Sequence, residues 1–422
     1  MKIAIQTWGC SANQNDTEIL AGILSKAGYK LTSLEDADLI ILNTCIVKHR
    51  VQIDELNAIK YYLNKNKKIL VTGCMAQAKT FRKYLNNLPI LGLYDQKNIV
   101  EIVKKIELGQ KPIKISKKPV EKTNLPKLRK NPIVEICQIS TGCLSSCTYC
   151  ATKLAKGNLF SYAPEAILTQ IECALKDGCK EIWLTSQDCG AYGLDKNTNI
   201  AELLEMVCNI QGDFLIRLGM ANPQWLYKFK KELLEVYENS KIFKFLHIPV
   251  QSGSDKVLKE MHRGYTIKQF KNVISAFRKK FPKITISTDI ICGYPTETEK
   301  DWEKTLNLIN WLKPDVINIS QFWPRPGTLA EKLKELPSYV KKTRSRKLTN
   351  LYHKIALEKN MTWLNWKGEV LIDEIGQKGG FVGRNFAYKP VVFKTSKRLK
   401  LGQVVKAKVI SATKNHLVGE II

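Results

Sequence analysis

Between residues 133 and 321 the chain runs through six short apolar segments, separated by longer amphipathic ones. The apolar segments have the length of buried strands, and the segments between them, such as 164–175 and 267–279, have helical spacing. Strand–helix units in series predict parallel strands that close into a barrel or partial barrel, with the helices outside. The predicted strands are residues 133–139, 181–185, 214–218, 243–250, 284–291 and 316–321.

Cys143, Cys147 and Cys150 stand in the spacing CxxxCxxC, in the loop that follows the first of these strands. In such barrels the chemistry lies at the carboxyl ends of the strands. Three thiolates on one loop can hold three irons of a four-iron cluster and leave the fourth open to a small molecule. Zinc is the alternative, but a structural zinc site takes four protein ligands, and an electron-transfer cluster takes a fourth cysteine. No His or further Cys follows in register, so the spacing favours the open cluster.

The first 108 residues predict a second, smaller domain with a parallel α/β sheet. Its strands are predicted at 3–6, 38–42 and 68–72. Cys10, Cys45 and Cys74 each follow one of these strands, and the loops at the carboxyl ends of parallel strands lie side by side. Three small core residues are the alternative, because free Cys is often buried. The Gly and Asn residues beside these cysteines favour a second three-thiolate cluster site.

Two other segments are rich in Lys and Arg. Residues 109–132 hold eight Lys or Arg and one Glu, which predicts an extended basic linker, either a solvated connector or a strap that faces nucleic acid. The barrel domain, 133–360, ends in a basic helix at 339–359. Residues 361–422 hold eleven Lys or Arg and four Asp or Glu, and predict a small antiparallel β-barrel. Its strands are predicted at 370–373, 390–393, 404–410 and 416–421.

Lys and Arg number 67 against 39 Asp and Glu, a formal net charge of +28. An excess of this size predicts a polyanionic partner, most simply nucleic acid, and a surface kept soluble by charge is the alternative. The amino terminus has no signal-peptide pattern, and no apolar run reaches the roughly 18 residues of a membrane span. We therefore expect a cytoplasmic protein without a membrane partner, whose twelve cysteines are ligands or core residues rather than disulfides.

Short motifs accompany both cysteine sets. They are Gly9-Cys-Ser-Ala-Asn13, Asp16-Thr-Glu18, Asn43-Thr-Cys45, Gly73-Cys74, His247-Ile-Pro-Val-Gln-Ser252, Thr288-Asp-Ile-Ile-Cys-Gly293 and Pro324-Arg-Pro-Gly-Thr328. Together they resemble the methylthiotransferase family of radical S-adenosylmethionine (SAM) enzymes over essentially the whole chain. The resemblance implies an α/β protein with three parts: a parallel amino-terminal domain with an auxiliary cluster, a partial (β/α)6 radical-SAM barrel, and a carboxyl-terminal TRAM β-barrel.

Four further stretches, 157–162, 181–188, 190–193 and 383–390, resemble the archaeal and eukaryotic branch of that family. The resemblance implies methylthiolation of N6-threonylcarbamoyladenosine at tRNA position 37, on C2 of the base. It also implies two 4Fe-4S clusters: one cleaves SAM to a radical that takes the C2 hydrogen, the other delivers sulfur, and a second SAM supplies the methyl group. Two residues depart from the family pattern, since Lys156 stands where relatives commonly carry Arg and Cys189 where they often carry Thr.

Other substrates and another class of protein are the alternatives. The same chemistry serves isopentenyl-adenosine in tRNA, or an aspartate of a ribosomal protein. A non-enzymatic iron–sulfur sensor would explain the charge and the cysteines but not the barrel motifs, and it would bind RNA without consuming SAM. The partners implied are the tRNA anticodon stem-loop and an electron donor protein that the sequence does not identify. A monomer is expected, and the membrane anchor of animal relatives has no counterpart in this sequence.

The resemblance also implies contacts with SAM, although a structural role in the barrel rim is the alternative for each. In chain order they are Thr185, Ser186, Gln187 and Asp188 at its amino group, Arg217 at its carboxylate, Gln251 and Ser252 at its ribose, and Asp289 and Gly293 at its adenine. Aromatic residues that could stack on unpaired bases are Phe322, Trp323, Phe386 and Tyr388. His247 and His262 are expected to be packing or capping residues. Of the remaining cysteines, Cys137, Cys173, Cys179, Cys208 and Cys292 are expected in the core, and Cys189 on a rim loop.

Overall fold

In this computed structural model, residues 1–376, 379–394 and 399–422 are described. The strands within these ranges are β1 (Lys2–Thr7), β2 (Lys30–Leu31), β3 (Leu39–Thr44), β4 (Lys68–Gly73), β5 (Ile90–Leu91), β6 (Ile113–Lys114), β7 (Val134–Gln138), β8 (Ser140–Thr141), β9 (Phe160–Ser161), β10 (Glu181–Thr185), β11 (Leu215–Leu218), β12 (Phe245–His247), β13 (Thr285–Cys292), β14 (Val316–Gln321), β15 (Lys367–Ile375), β16 (Phe381–Asn385), β17 (Pro390–Phe393), β18 (Val404–Ala412) and β19 (Leu417–Ile421). The α-helices are α1 (Ser11–Lys26), α2 (His49–Asn64), α3 (Cys74–Gln77), α4 (Ile99–Glu107), α5 (Thr152–Lys156), α6 (Pro164–Lys176), α7 (Ile200–Cys208), α8 (Pro223–Lys228), α9 (Lys230–Val236), α10 (Asp255–Glu260), α11 (Ile267–Lys280), α12 (Glu299–Leu312) and α13 (Ser338–Met361).

The amino-terminal domain is a parallel sheet in the order β2-β1-β3-β4-β5-β6. Its central strand β3 is buried at every residue, as expected of a parallel strand that is covered on both faces. The three strands predicted here are confirmed as β1, β3 and β4, which end at Thr7, Thr44 and Gly73. The three cysteine-bearing loops therefore leave the same edge of the sheet.

The segment 109–132 is more than the extended linker that its composition predicts. It adds β6 to the sheet, and the Leu128 amide donates to the Glu18 carbonyl on α1 at 2.9 Å. Lys122 is buried in an ion pair with Asp16 at 2.7 Å. Lys127 and Arg129 bind the buried Glu135 of β7. The basic residues of the segment that remain exposed are Lys111, Lys114, Lys117, Lys118 and Lys130.

The six predicted barrel strands are confirmed as β7 and β10–β14, in chain order and all parallel. They form two ladders, β7-β10-β11 and β12-β13-β14, which a parallel bridge between Ile216 and Ile242 joins. The helices cover the outside, and side chains such as Ile182, Leu184 and Ile286 pack beneath them in the largest core cluster. The barrel is thus partial, and its inner face carries the alternate, largely polar residues.

The carboxyl-terminal domain is a closed barrel in the order β15-β16-β17-β19-β18. It has five strands rather than the four predicted, because β16 contains the polar run from Gly383 to Asn385 and carries no clear alternation. The pair β17–β19 is parallel, and the other pairs are antiparallel. No helix in the described part of the chain has both the length and the apolarity needed to cross a membrane.

The loop after β16 closes the amino-terminal end of the radical-SAM barrel. The Lys244 amide donates to the Phe386 carbonyl at 2.7 Å, and the Tyr388 ring lies 4.8 Å from Phe243 and 5.2 Å from Phe245. Gly402 packs on Ile133, just before β7. The carboxyl-terminal barrel therefore covers the amino-terminal end of the radical-SAM barrel, which we call the floor. The opposite, cysteine-bearing end is left open.

Two buried carboxyl groups meet at this floor. Asp373 accepts from Arg384 at 2.9 Å, and Glu181 accepts from the Trp183 indole. One oxygen of each carboxyl group is buried without a hydrogen-bond partner among the described residues. Burial, with repulsion from Asp373, raises the pKa of Glu181 to about 7, and burial also raises the pKa of Asp373. Glu181 is thus expected to titrate near neutral pH, and the charge of Asp373 contributes to this shift.

Ala in place of Gly22 tests how the 109–132 segment docks on α1. A Cβ at position 22 would lie 2.4 Å from the Pro126 carbonyl oxygen, so the segment must move away from the helix. We expect Gly22→Ala to lower the free energy of unfolding by about 1–3 kcal/mol, the usual cost of overpacking, in urea titrations. Ser25→Ala, at an exposed site on the same helix, is the control. Equal stability of the two variants would contradict the docked arrangement.

The carboxyl pair predicts a pH dependence of stability. Because the folded-state pKa of Glu181 is raised from 4.5 to about 7, its contribution is fully present below pH 4.5 and is lost as pH rises through 7. Glu181→Gln should therefore flatten the fall in unfolding free energy between these values and add about 3 kcal/mol at pH 8. Glu369→Gln, on the exposed surface of β15, is the control. A parallel pH profile for Glu181→Gln and the parent would contradict the raised pKa of Glu181.

Candidate functional site

The three cysteines of the amino-terminal domain converge at one edge of its sheet. Cys10 caps α1, Cys45 follows β3 directly, and Cys74 opens α3. The Asn13 Oδ1 atom lies 3.7 Å from the Cys10 Sγ atom and 3.9 Å from the Cys74 Sγ atom. A Cβ at Gly9 would lie 3.0 Å from the Cys45 Cβ, which places the Cys10 loop against Cys45. We call these three residues the amino-terminal triad.

A glycine makes this convergence possible. Gly73, at the end of β4, has φ +88°, and a Cβ there would lie 2.4 Å from the Thr44 backbone nitrogen. Only glycine fits both the backbone conformation and the close approach. Cys74 is thereby brought beside the loop that begins at Cys45.

The chemistry of the amino-terminal triad suits a metal group. Burial raises the pKa of the Cys45 thiol to about 12 and raises that of Cys74 further, and the neighbouring thiols add to both shifts. Without a cation between them these thiols would stay protonated. A bound metal deprotonates coordinating thiols outright, so it would remove this penalty.

Two buried cations from the radical-SAM barrel domain lie beside the amino-terminal triad. Lys156, at the end of α5, has its Nζ atom 3.6 Å from the Asp16 carboxylate. Burial acts to lower its pKa, but Asp16 and the Cys74 and Cys10 thiols raise it well above its usual range. Arg325 donates from Nε to the Ile46 carbonyl at 3.1 Å. Sequence patterns do not predict these contacts, because each one joins residues far apart in the chain.

The second triad, which we call the loop triad, consists of Cys143, Cys147 and Cys150 and follows β7. Its loop leaves the barrel at Gly142, whose φ is +75° and whose amide donates to Gln187 at 2.8 Å. A Cβ at Gly142 would lie 1.8 Å from the Asn158 carbonyl oxygen, so a larger residue cannot stand there. The loop is further held by Thr148, which is hydrogen-bonded to the Tyr294 hydroxyl at 2.8 Å.

Two donors reach sulfur atoms of the loop triad. The Ser145 amide lies 3.4 Å from the Cys143 Sγ atom, and Arg263 Nη1 lies 3.4 Å from the Cys147 Sγ atom. Donors of this kind orient thiolate ligands and tune a bound cluster. Burial and the Asp188 carboxylate raise the pKa of the Cys143 thiol to about 11, so this cysteine too needs a cation to ionise. The sequence motifs did not single out Arg263.

One helix pair connects the two triads. Helix α5 begins two residues after Cys150, helix α3 begins at Cys74, and the two helices pack against each other. Ala151 and Ala155 share a core cluster with Cys74. The Tyr94 hydroxyl donates to the Lys156 carbonyl at 2.7 Å. The triads therefore lie on neighbouring sides of one domain seam.

Among residues 1–376, 379–394 and 399–422, no group of three or more His, Cys, Asp and Glu side chains is arranged to hold a single metal ion.

Most of the predicted SAM contacts on the rim after β10 hold the loops in place. The Ser186 hydroxyl accepts from the Asp188 amide at 3.0 Å, and Gln187 accepts from Gly142. Asp188 accepts from the backbone amides of Gly190 and Asn222 and from the Trp225 indole. Its carboxylate is therefore engaged within the protein. Thr185 is buried at the end of β10.

Two further predicted contacts have structural roles. Ser252 is fully buried and accepts from the Ser254 amide at 3.2 Å. Gly293 has φ +77°, and a Cβ there would lie 2.6 Å from Lys341, so only glycine fits beside this lysine. The contacts of these two residues with ribose and adenine stay predictions. Gln251 has φ +69° and binds β13 through its backbone, which leaves its side chain free for a ligand.

The barrel lumen contains two polar groups. Asp289 is bonded to His247 at 3.1 Å and to Asn318 at 2.6 Å, so His247 is more than a packing residue. Burial acts to raise the pKa of Asp289, but the His247 contact lowers it below its ordinary value. Arg217 forms the second group with three aromatic rings.

The Arg217 guanidinium lies 4.9 Å from the Trp183 ring, 5.4 Å from Phe245 and 5.2 Å from Tyr388. Its Nε atom is buried and has no hydrogen-bond partner among the described residues. The Arg217 guanidinium is thus held by aromatic faces, and its N–H groups remain available to bind an anion.

The remaining predictions divide between core and surface. Phe322 is in the core and Tyr388 lies inside the barrel floor, whereas Trp323 and Phe386 are each 42% exposed. Trp323 stacks on His49, four residues after Cys45, with ring centroids 4.5 Å apart. The buried cysteines outside the triads are Cys137, Cys179, Cys189, Cys208 and Cys292. Cys173 is exposed rather than in the core, because it lies on the outer face of α6.

Family models match all three domains. Residues 2–91 match an uncharacterized protein family designated UPF0004, residues 137–309 match the radical SAM superfamily, and residues 367–422 match the TRAM domain. Among solved structures, the fold is similar to that of the radical S-adenosylmethionine methyltransferase TsrM from Kitasatospora setae, with a TM-score of 0.57, 12% identity and coverage of 78% of this chain and 76% of that one. The likeness at this identity concerns the fold alone.

Sequence relatives span the whole chain. A probable threonylcarbamoyladenosine tRNA methylthiotransferase of Pyrococcus horikoshii is 38% identical, with 100% of both chains covered. The threonylcarbamoyladenosine tRNA methylthiotransferases of Drosophila pseudoobscura pseudoobscura and Homo sapiens are 40% and 39% identical, covering 100% and 99% of this chain and 77% and 74% of theirs. The chain therefore belongs to the threonylcarbamoyladenosine tRNA methylthiotransferase family.

Proposed function

We propose that this protein is a tRNA methylthiotransferase that converts N6-threonylcarbamoyladenosine at position 37 to its 2-methylthio derivative. The observation that carries the proposal is the α3–α5 helix pair, which connects the amino-terminal triad with the loop triad at the open end of a radical-SAM barrel. An enzyme that must remove a hydrogen and insert sulfur at the same carbon needs its two reactive centres at one place. The names of its full-length relatives support the same activity.

Each triad is proposed to hold a 4Fe-4S cluster with one open iron, the loop triad for SAM and the amino-terminal triad for sulfur. When bound, the two clusters and SAM supply the radical, the sulfur and the methyl group. The protein positions and shields these cofactors. Arg263 and the Ser145 amide fix the sulfur ligands of the loop triad. Ala151 and Ala155 pack with Cys74 in one core cluster, so this side of the seam is apolar.

The lumen residues are proposed to hold SAM. Arg217 offers a planar fork, and the SAM carboxylate is the anion that it fits. Asp289, held by His247 and Asn318, offers an acceptor to hydroxyl or amino groups. The Gln251 side chain completes this set, whereas Thr185, Ser186, Gln187, Asp188, Ser252 and Gly293 shape the rim.

The RNA substrate is proposed to be the anticodon stem-loop, held mainly through its phosphates by a monomeric, cytoplasmic enzyme. Lys114, Lys117 and Lys118 are exposed along the 109–132 segment. Their backbone is fixed, because the Ser116 carbonyl accepts from Gln77 of α3 at 2.9 Å. These lysines therefore flank the helix that opens at Cys74. Trp323 presents an exposed ring near the same seam, on which an unpaired base can stack.

Cysteine variants separate the roles of the two triads. Cys147→Ala removes a ligand of the loop triad, so we expect cleavage of SAM to 5′-deoxyadenosine to disappear. Cys45→Ala leaves the loop triad intact, so we expect cleavage to continue while the methylthio product is lost. Chromatography of nucleosides and of SAM products measures both. Cys173→Ala, outside both triads, is the control and should behave like the parent. Methylthio product from Cys45→Ala would exclude the sulfur role.

Salt dependence tests the proposed RNA track. Replacing both Lys117 and Lys118 with Gln should weaken tRNA binding and reduce the slope of log affinity against log salt by about one for each phosphate that is no longer bound. Replacing both with Arg keeps the charge and is the control. Filter binding across a salt series measures the slopes. Equal slopes for the Gln and Arg variants would show that the RNA does not follow this segment.

A further inference from the structure

The radical-SAM barrel domain contributes two buried cations to a site made by the other domain. Lys156 is 2% exposed and Arg325 is 4% exposed. The Lys156 Nζ atom and both Nη atoms of Arg325 are buried without a hydrogen-bond partner among the described residues. Lys156 approaches the Asp16 carboxylate at 3.6 Å without a hydrogen bond, and Arg325 bonds to a backbone carbonyl. Buried cations whose N–H groups are left unbonded are costly, so these two side chains point to an anion between the domains.

Lys156 approaches the amino-terminal triad from the side of Cys74. Its carboxylate neighbour Asp16, at 3.6 Å, is bound more closely by Lys122, at 2.7 Å. One carboxylate therefore faces two buried ammonium groups.

Arg325 approaches the amino-terminal triad from the side of Cys45. Its Nε atom is bonded to the carbonyl of Ile46, the residue after Cys45, and its guanidinium lies 5.1 Å from the Phe81 ring. The acidic neighbour on this side is Glu55, which accepts from the Cys45 amide at 2.6 Å. Neither Nη atom of Arg325 is hydrogen-bonded to Glu55 or to another described residue.

We propose that Lys156 and Arg325 are positioning residues that balance the negative charge of the iron–sulfur cluster on the amino-terminal triad, so that docking of the barrel domain sets the reduction potential of that cluster. The proposal rests on the proposed function only for the presence of this cluster. A thiolate-ligated cluster is an anion, and one-electron reduction adds a further negative charge. Two nearby cations with free N–H groups favour the reduced form and raise the potential.

The test isolates the amino-terminal cluster. In a parent with Cys143, Cys147 and Cys150 all changed to Ala, only that cluster assembles on anaerobic reconstitution. Lys156→Met and Arg325→Met are then added singly and together. Dithionite titration followed by electron paramagnetic resonance gives each midpoint potential. We expect each change to shift the reduction equilibrium at least tenfold toward the oxidised form, about 59 mV for one electron, and the double variant to shift it further.

Matched variants separate charge from packing. Lys156→Arg keeps the cation and should hold the potential near that of the parent. Lys389→Met removes another buried lysine, which lies in the carboxyl-terminal domain and pairs with Asp315 of the barrel domain at 2.8 Å, and it should lower stability without moving the potential. A role of Lys156 confined to its Asp16 ion pair would change the melting temperature alone.

Each outcome is decisive. Unchanged potentials in both Met variants, with full iron content, overturn the proposal. If Lys156→Met takes up no cluster while Lys156→Arg and Lys389→Met do, the requirement for a cation is upheld. If Lys156→Arg fails in the same way as Lys156→Met, the proposal is overturned. A triple-Ala parent that binds no iron overturns the second cluster itself, which is a failure of the proposed function and distinct from a failure of the cations.

Discussion

The packing of α3 against α5 brings the two halves of the chemistry together. Helix α3 begins at Cys74, directly after the last of the three strands that precede these cysteines, and α5 begins two residues after Cys150 of the barrel loop. Each helix is about one turn long, so neither has room to adjust its cysteine independently of the contact. Small residues at Ala151 and Ala155 let the helices approach closely. The relative position of the two triads is thus set by this apolar contact together with the hydrogen bonds from Tyr94 to Lys156 and from Arg325 to Ile46.

The packing of α3 against α5 also brings the cations of one domain beside the thiols of the other. The thiols at Cys45 and Cys74 are buried in the amino-terminal domain, and the cations that face them, Lys156 and Arg325, come from the barrel domain. Neither group is well placed alone, because buried thiolates and buried cations each carry a desolvation penalty. The proposed cluster would place thiolates opposite these cations and so balance the charges across the seam. The small barrel at the other end of the large one adds a floor through Tyr388 and leaves this seam open to RNA.

The sequence predicted the elements that local patterns encode. The parallel strands, the positions of both triads at strand ends and the carboxyl-terminal barrel all follow from periodicity and from motifs. Contacts between residues far apart in the chain could not be predicted from the sequence. The roles of Lys156, Arg325 and Arg263 depend on such contacts. For the same reason the sequence could not show the contacts that Ser252 and Gly293 make within the protein. Ser252 accepts from Ser254, and Gly293 packs against Lys341. The 109–132 segment was predicted as a linker because its lysines suggested exposure, whereas Lys122 is buried by a carboxylate that only the fold brings to it.

The proposed chemistry requires two separate thiolate triads, each with a four-iron cluster, on neighbouring sides of the domain seam. Iron and sulfide analysis after anaerobic reconstitution counts these clusters. We expect about eight iron and eight sulfide atoms in the parent chain, and about half of each when all the cysteines of either triad are replaced by Ala. A parent that saturates at half these values while remaining fully active would contradict the two-cluster arrangement, as would a triad replacement that leaves the iron content unchanged.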